Sequence, residues 1–430
     1  MKVIAFALGA CYLFSVVRSR SLIPGPSGNV LAYPSLPPKF EPRWRMNEST
    51  IFMPCNTGLK NGGFFNASAS AAWGVADFDY SNARAIWSKN KPMDCQEHLV
   101  TQAAMTKREN ARTFVWVYRN IVTAMPWFKD VRKKINDPAY SGWFMSFKPG
   151  YQQNGTTLYH DWKSNAKYGQ AAGADCGGIP CAEYLFDHRN DSARAFIVDT
   201  FIGGPDAMGS PHIDGIFLDD FWSNFPYTLP WSKGDCATSP TGGPSETLGG
   251  CIELMGLKAE DVEEMAEAWE KTLLAVLHKI VDMGGYSFQM LQLPDFGEGN
   301  ADAPPIRSTP RNASFFHREC SPNSVSQKYP ILLSFTGADD HVLPMLEQDI
   351  AAFLLIRSEY AWLGYGWKGC GDDNFWIDPH HYKLLVSDYG MPLDQLCFES
   401  APGVFTRRWS KATVSLDTNT NKPYILFKKL

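Results

Sequence analysis

From about Phe64 onward, short apolar runs alternate with longer stretches whose apolar residues recur every three or four positions. That alternation is the strongest constraint on the fold, because runs bounded by turns read as buried strands and the intervening period reads as helices that cross over between parallel strands. The strand candidates are Ala72 to Asp79, Arg112 to Tyr118, Trp143 to Lys148, Ile213 to Asp220, Tyr286 to Leu293, Ile331 to Thr336 and Tyr360 to Trp367. Between them the clearest helix is Lys258 to Met283, where Val262, Met265, Trp269, Leu273, Val276, Leu277 and Ile280 make one apolar face. Further helices are expected over Pro344 to Ser358, Gln96 to Asn110 and Ser192 to Ile202. No fixed repeat period runs through these segments, and the pattern predicts an α/β chain folded as a (β/α)8 barrel.

The barrel is expected over 64–392. Before it, residues 20–63 open with Pro24, Pro26, Pro34, Pro37, Pro38 and Pro42, which disfavour regular structure and read as an extended arm. After it, 393–430 changes pattern: Gly403 to Trp409 and Ala412 to Asp417 alternate apolar with polar around Ser410-Lys411, as a short hairpin or small sheet does.

Residues 1–19 carry Lys2, an apolar run from Val3 to Val17 and the small residue Ser19, the pattern of a secretory signal peptide. Export fits the five Asn-x-Ser/Thr sites at Asn47, Asn66, Asn154, Asn190 and Asn312, each able to carry a glycan. With Cys11 in the presumed signal, nine cysteines remain, and in an exported chain most are expected as disulfides, with one left over. Cys176 with Cys181, and Cys236 with Cys251, look like locally stapled loops. The expectation is a secreted glycoprotein with no membrane association once the signal is removed.

The 40 basic and 45 acidic residues give a net charge of −5 without a block of either sign. Nothing prepares a surface for a phosphate backbone, so nucleic acid is not an expected partner. The 14 Trp and 17 Tyr suit stacking on sugar rings, a use that competes with ordinary core packing.

The sharpest local feature is Ile213-Asp-Gly-Ile-Phe-Leu-Asp-Asp-Phe-Trp222, an apolar strand that ends in two carboxylates. In a (β/α)8 barrel the C-terminal strand ends build the active face. Side chains alternate along a strand, so Asp219 and Asp220 cannot both enter the mouth, and one of them is expected to be structural. The plain alternative is that either Asp caps the following segment. Asp77 and Asp79 end the first strand candidate, Asp295 follows the fifth, Asp339 and Asp340 with His341 the sixth, and Asp372 and Asp373 the seventh. Convergence of such carboxylates is what glycoside hydrolysis needs: one as nucleophile or base, another as acid. Trp116, Tyr118, Trp222, Tyr365 and Trp367 lie near the same strand ends and either form a sugar platform or fill the barrel's top layer.

The Asp214-Gly-Ile-Phe-Leu-Asp219 strand resembles the nucleophile strand of barrel glycosidases of the α-galactosidase and α-glucosidase type, and still more that of uncharacterised glycoside hydrolases ending a strand in Asp-Asp. The stretch Asp388-Tyr-Gly-Met-Pro392 with the two strands after it is similar to the tail of those hydrolases. The resemblance covers roughly Ala72 to Asp417 and implies Asp219 as nucleophile or general base, with Asp339 or Asp340 as acid. It also implies that Asp77 and Asp79 hold sugar hydroxyls and that hydrolysis is retaining; by their strand-end positions Asp220, Trp222, Trp116, Tyr118 and Trp367 are expected to bind the sugar beside them. No metal or organic cofactor is implied; the partner is an oligo- or polysaccharide. The insertions at 150–181 and 228–257 have no counterpart in the resemblance.

Two other functions fit parts of the pattern. A metal-dependent polysaccharide deacetylase would use Asp219-Asp220 as ligands, but it needs a His-x-x-x-His pair, a spacing that none of the nine histidines has. A secreted, non-catalytic glycan-binding barrel would use the aromatics and leave the carboxylates as caps.

Overall fold

The computed structural model describes residues 43–54, 56–153, 155–161, 176–220, 254–289, 312–328, 331–336, 343–359, 361–364 and 379–428. Strands are numbered in chain order: β1 (Thr50–Phe52), β2 (Val75–Phe78), β3 (Phe114–Asn120), β4 (Thr123–Ala124), β5 (His160–Asp161), β6 (Glu183–Leu185), β7 (Gly215–Asp219), β8 (Tyr286–Gln289), β9 (Ile331–Ser334) and β10 (Ala361–Gly364). β4, β6 and β5 form a small antiparallel sheet. The other seven pair in parallel in the order β8-β7-β3-β2-β1-β10-β9.

That order is chain order read around a circle. β1 lies between β2 and β10, with Ile51 opposite both Val75 and Gly364. An open doubly wound sheet would reverse direction at a switch point. Here there is no reversal, as expected of a curled (β/α) barrel whose described edges are β8 and β9.

Two expectations are corrected. Trp143 to Lys148 is not a barrel strand: Trp143 ends the 3₁₀ turn Pro138–Trp143, and Phe144 and Ser146 make isolated antiparallel bridges to Phe186 and Leu158. The barrel's remaining strand is β1, which lies inside the stretch read as an arm. Its three residues are too few to show a period, and only their pairing on both sides defines them.

Helices cover the barrel's outer face where predicted, at Cys95–Glu109, Ala259–Asp282 and Leu346–Ile356. Helix Asp191–Phe196 continues as π-helical turns over Ile197–Ile202. In Ala259–Asp282 the whole predicted apolar stripe is buried, Val262, Met265, Trp269, Leu273, Val276, Leu277 and Ile280, together with Ala266, Ala268 and Thr272. Helix Leu346–Ile356 is apolar nearly all round because it is covered twice. One side meets β9 and β10, the other a C-terminal antiparallel sheet of β11 (Phe398–Ala401), β12 (Val404–Arg408), β13 (Ala412–Asp417) and β14 (Lys422–Phe427). The predicted hairpin is the β12–β13 pair of this sheet.

Buried arginines join the sheet to the barrel. Arg407 on β12 donates from Nη1 to the carbonyls of Leu354, Leu355 and Arg357 at 3.3, 3.2 and 2.7 Å, taking up acceptors left open at the end of helix Leu346–Ile356. Its Nη2 and Nε reach Gln395 O and Asp394 O. Arg357 in turn donates to the carbonyls of Arg43 and Trp44 and lies over the Trp44 ring, drawing the N-terminal segment into the same joint.

Disulfides join Cys176 to Cys181, as the spacing suggested, and Cys320 to Cys397, while Cys95 is a free buried thiol. Cys236 and Cys251 lie outside the described residues, as do the signal segment and most of the arm. Among the described residues no helix is long and apolar enough to cross a membrane.

Candidate active site

Alternation along each strand divides its side chains between helix layer and barrel interior. On β3, Val115, Val117 and Arg119 face one way and Trp116, Tyr118 and Asn120 the other. Trp116 packs with Ile51, Val75, Tyr286 and Trp362, all strand residues, so this set is the interior. On β7 the matching positions are Gly215, Phe217 and Asp219, and on β2 Val75, Asp77 and, just past the strand, Asp79.

The β7 motif can now be read residue by residue. Asp214 is a clasp: its Oδ2 accepts from the Val115 backbone N–H at 2.8 Å and pairs with Lys107 Nζ at 2.6 Å, fastening helix Cys95–Glu109 and β3 to the start of β7. Gly215 makes room for Trp116, since a Cβ there would stand 2.5 Å from Trp116 Cδ1 and 2.5 Å from the Tyr286 carbonyl oxygen. Ile216, Phe217 and Leu218 are buried, and Asp219 arrives at the strand's C-terminal end only 8% exposed.

Asp219 is held from two sides. The Tyr118 hydroxyl donates to Oδ2 at 2.8 Å, and the Asp220 backbone N–H donates to Oδ1 at 2.9 Å. Burial pushes the Asp219 carboxyl well above the usual carboxylate range, the neighbouring Asp220 and Asp79 charges add to this, and the two donors oppose it. Asp220 turns away in a left-handed conformation, φ 60°, and its Oδ2 accepts from Asn120 Nδ2 at 2.6 Å and Thr123 Oγ1 at 3.1 Å. One Asp therefore enters the barrel while the other ties β7 to the end of β3. Burial raises the Asp220 carboxyl too, less strongly, because those two donors favour its charged form.

Asn120 links both carboxylates. Its Nδ2 also donates to the Tyr118 hydroxyl oxygen at 3.1 Å, and its Oδ1 accepts from the backbone N–H groups of Val122 and Thr123 at 2.9 and 2.6 Å. The amide is thus fully used, and a chain of donors runs Asn120 to Tyr118 to Asp219. Neither Asn120 nor Thr123 was among the expected site residues. The signal for Asn120 was its alternation with Trp116 and Tyr118 on β3, which puts a polar residue where the strand ends.

Beside them stand Asp77 and Asp79. Asp77 is fully buried, neither of its carboxylate oxygens has a hydrogen-bond partner among the described residues, and burial followed by the Asp79 charge pushes it well above the ordinary value. Such surroundings favour the protonated form of this carboxyl. Asp79 accepts from the Ser81 backbone N–H at 2.8 Å, and burial raises its carboxyl as well.

The aromatic expectation divides. Trp116 is a correction: at 2% exposure, 6.0 Å from the Trp362 ring, it packs the barrel interior below the carboxylates and offers no face to a ligand. Tyr118 is buried as well, against Tyr80 and Phe217, and acts through its hydroxyl. Trp222, Trp367, Asp339 and Asp340 lie outside the described residues, as do Asp295, Asp372 and Asp373. Among the described residues no three His, Cys, Asp or Glu side chains are grouped as metal ligands would be.

No family model matches the sequence, and no curated protein does. Among solved structures, the chain is similar to a cyclic α-maltosyl-(1→6)-maltose hydrolase from Arthrobacter globiformis, at 10% identity over 90% of this chain and 97% of that one, with a TM-score of 0.41. It is also similar to a debranching enzyme of Nostoc punctiforme, at 10% identity over 89% and 90% of the two chains and a TM-score of 0.42. A third similarity is to an α-amylase from Geobacillus thermoleovorans, at 11% identity over 86% of each chain and a TM-score of 0.38.

Proposed function

We propose that the protein is a secreted glycoside hydrolase that cleaves an O-glycosidic bond with a pair of carboxylates. The observation that carries this reading is the placing of Asp219 at the C-terminal end of β7, held by Tyr118 and the Asp220 amide, with Asp77 on β2 and Asp79 just past its end directing carboxylates to the same interior. Secretion rests on the N-terminal signal pattern, the Asn-x-Ser/Thr sites and the disulfides.

In this reading Asp219 acts as nucleophile or general base, and Asp339 or Asp340 protonates the leaving oxygen. The Tyr118 and Asp220 donors orient the Asp219 carboxylate and favour its ionised form, while burial keeps its proton affinity high enough to be tuned by substrate. Asp77, whose carboxyl burial biases toward the protonated form, adds less repulsion to an ionised Asp219 than a charged neighbour would. A retaining course is the expectation carried by the likeness of the β7 motif to α-galactosidase-type barrels.

The test is release of reducing ends from a panel of algal, fungal and plant glycans, run beside a folded Asp219→Asn variant. Release that disappears in the variant supports the hydrolase, and proton NMR of the first product then reads retention or inversion at the anomeric carbon. Absence of release with glycan binding kept in both proteins would replace it with a glycan-binding barrel.

A further inference from the structure

Asn120, at the end of β3, can hold its side-chain amide in one orientation only. Oδ1 accepts from the Val122 and Thr123 backbone N–H groups at 2.9 and 2.6 Å. A flipped amide would turn its NH2 group toward these two donors and leave both without an acceptor, so the backbone fixes the carbonyl side. The nitrogen side is then fixed as well. One Nδ2 proton goes to the Tyr118 hydroxyl oxygen at 3.1 Å and the other to Asp220 Oδ2 at 2.6 Å. Asn120 is 1% exposed, so water does not compete for either proton.

This orientation decides where the next protons point. An amide nitrogen is no acceptor, so the Tyr118 hydroxyl cannot return the bond to Asn120. Its single proton is left for Asp219 Oδ2, 2.8 Å away. The second Nδ2 proton governs the other oxygen of Asp219. Asp220 stands at φ 60°, a left-handed conformation that disfavours residues with a side chain. Asn120 and the Thr123 hydroxyl hold it there by its Oδ2, and its backbone N–H is thereby aimed at Asp219 Oδ1 at 2.9 Å. Both oxygens of Asp219 thus receive a donor whose direction traces back to one buried amide.

We propose that Asn120 is a positioning residue that commits the Tyr118 hydroxyl proton and the Asp220 N–H to Asp219, so that Asp219 serves the reaction as acceptor and not as proton donor. The role rests on the hydrolase reading, in which Asp219 is nucleophile or general base and another carboxyl supplies the proton. Among the described residues, the titratable groups facing Asp219 are Tyr118 on β3, Asp220 after β7 and Asp79 after β2, and Asp79 in turn faces Asp77 and Arg84. Burial pushes the Asp219 carboxyl up, Asp220 and Asp79 add to this, and the two donors that Asn120 directs oppose it.

The experiment is a carbon NMR titration of the Asp219 carboxyl, assigned by its loss in Asp219→Asn, in wild type and in Asn120→Asp. Aspartate keeps the acceptor for Val122 and Thr123 but offers no proton to Tyr118 or Asp220. Asp219 should then titrate about one pH unit higher or more. The new carboxylate also adds a charge of its own, which a second background separates. In Tyr118→Phe there is no hydroxyl proton to misdirect, so Asn120→Asp should move Asp219 there by at least about half a unit less. Should Asn120→Asp melt early, Asn120→Ser adds no charge, is too short to hold both groups, and should move Asp219 in the same direction. The proposal is overturned if Asp219 titrates in the folded variant as it does in wild type, or if the two backgrounds give equal shifts. The titration needs no glycan, so its outcome is separate from the release of reducing ends that tests the hydrolase reading. Where release occurs, the acid limb of kcat/KM should follow the titration.

Discussion

Tyr118 on β3 and Asp219 on β7 meet as hydroxyl donor and carboxylate acceptor at 2.8 Å, both buried, although 101 residues separate them in the chain. A hydrogen bond to a carboxylate in such a place is worth more than one at the surface, because water cannot replace it.

Removing that donor should therefore be felt in the chemistry. Tyr118→Phe keeps the ring packing and deletes the hydroxyl. If Asp219 works as nucleophile or base, the loss of a charge-assisted bond of ~1.5–3 kcal/mol predicts a fall of roughly 10- to 100-fold in kcat/KM. The acid limb of the pH profile should also move upward, since the Asp219 carboxyl loses a group that favours its ionised form. A profile parallel to wild type would show that the bond does no more than pack the site.

Asp77 predicts a pH dependence of stability with a definite sign. Its carboxyl is raised in the folded protein, so the folded state holds a proton that the unfolded chain releases near the ordinary value of ~3.9. The contribution is present at low pH and is lost as pH rises through the folded value. Asp77→Asn keeps the shape and cannot ionise. Denaturant unfolding across pH should show the wild type losing stability relative to the variant toward alkaline pH; parallel curves would show that Asp77 is ionised throughout.

His188 carries the opposite sign. It is fully buried against Thr272, 3.1 Å from Nδ1 to the hydroxyl, and burial lowers its imidazole to about 3. The unfolded chain binds a proton near pH 6.5 that the folded one refuses, so this contribution is full above that value and shrinks as pH falls toward 3. Relative to His188→Gln, the wild type should lose about 2 kcal/mol between pH 6.5 and pH 5, at ~1.4 kcal/mol per pH unit. Equal slopes for the two proteins would place the imidazole in contact with water.

Arg407 predicts a difference between two cations. Its guanidinium serves five carbonyls at once, three of them at the end of one helix. Lysine keeps the charge but cannot fan out to them, so Arg407→Lys should cost roughly 3 kcal/mol or more. Calorimetry reads that loss, and limited proteolysis should cut between the barrel and the C-terminal sheet sooner than in wild type. A melting temperature within a degree of wild type would mean that the joint is held by its apolar contacts.

How far the sequence announced all this depends on the range of each interaction. The strand ending in Asp219-Asp220 was legible because its apolar run and its carboxylates are contiguous. The alternation rule further required the two carboxylates to part, as they do. The role of Asp214 was not legible, because Lys107 and the Val115 amide reach it from about a hundred residues upstream. Trp116 was misplaced by one strand layer, since composition marks a tryptophan as a sugar platform but only register reveals it below Tyr118. β1 escaped for want of length. Asn120 lies beyond the strand read as ending at Tyr118, and of its four hydrogen bonds the one to Asp220, which links the two carboxylates, emerges only when β7 lies alongside.

The position of β1 between β2 and β10 also bears on how the molecule is made. During synthesis β1 leaves the ribosome roughly 300 residues before the neighbour that will cover its second edge, at a time when a growing chain is most prone to stray pairing. Of its three residues, only Ile51 and Phe52 find partners on β2 at first, and a strand so brief offers a passing chain little to add to. Its shortness is thus a form of protection: until β10 arrives, the waiting edge of β1 has little backbone to offer a stray chain.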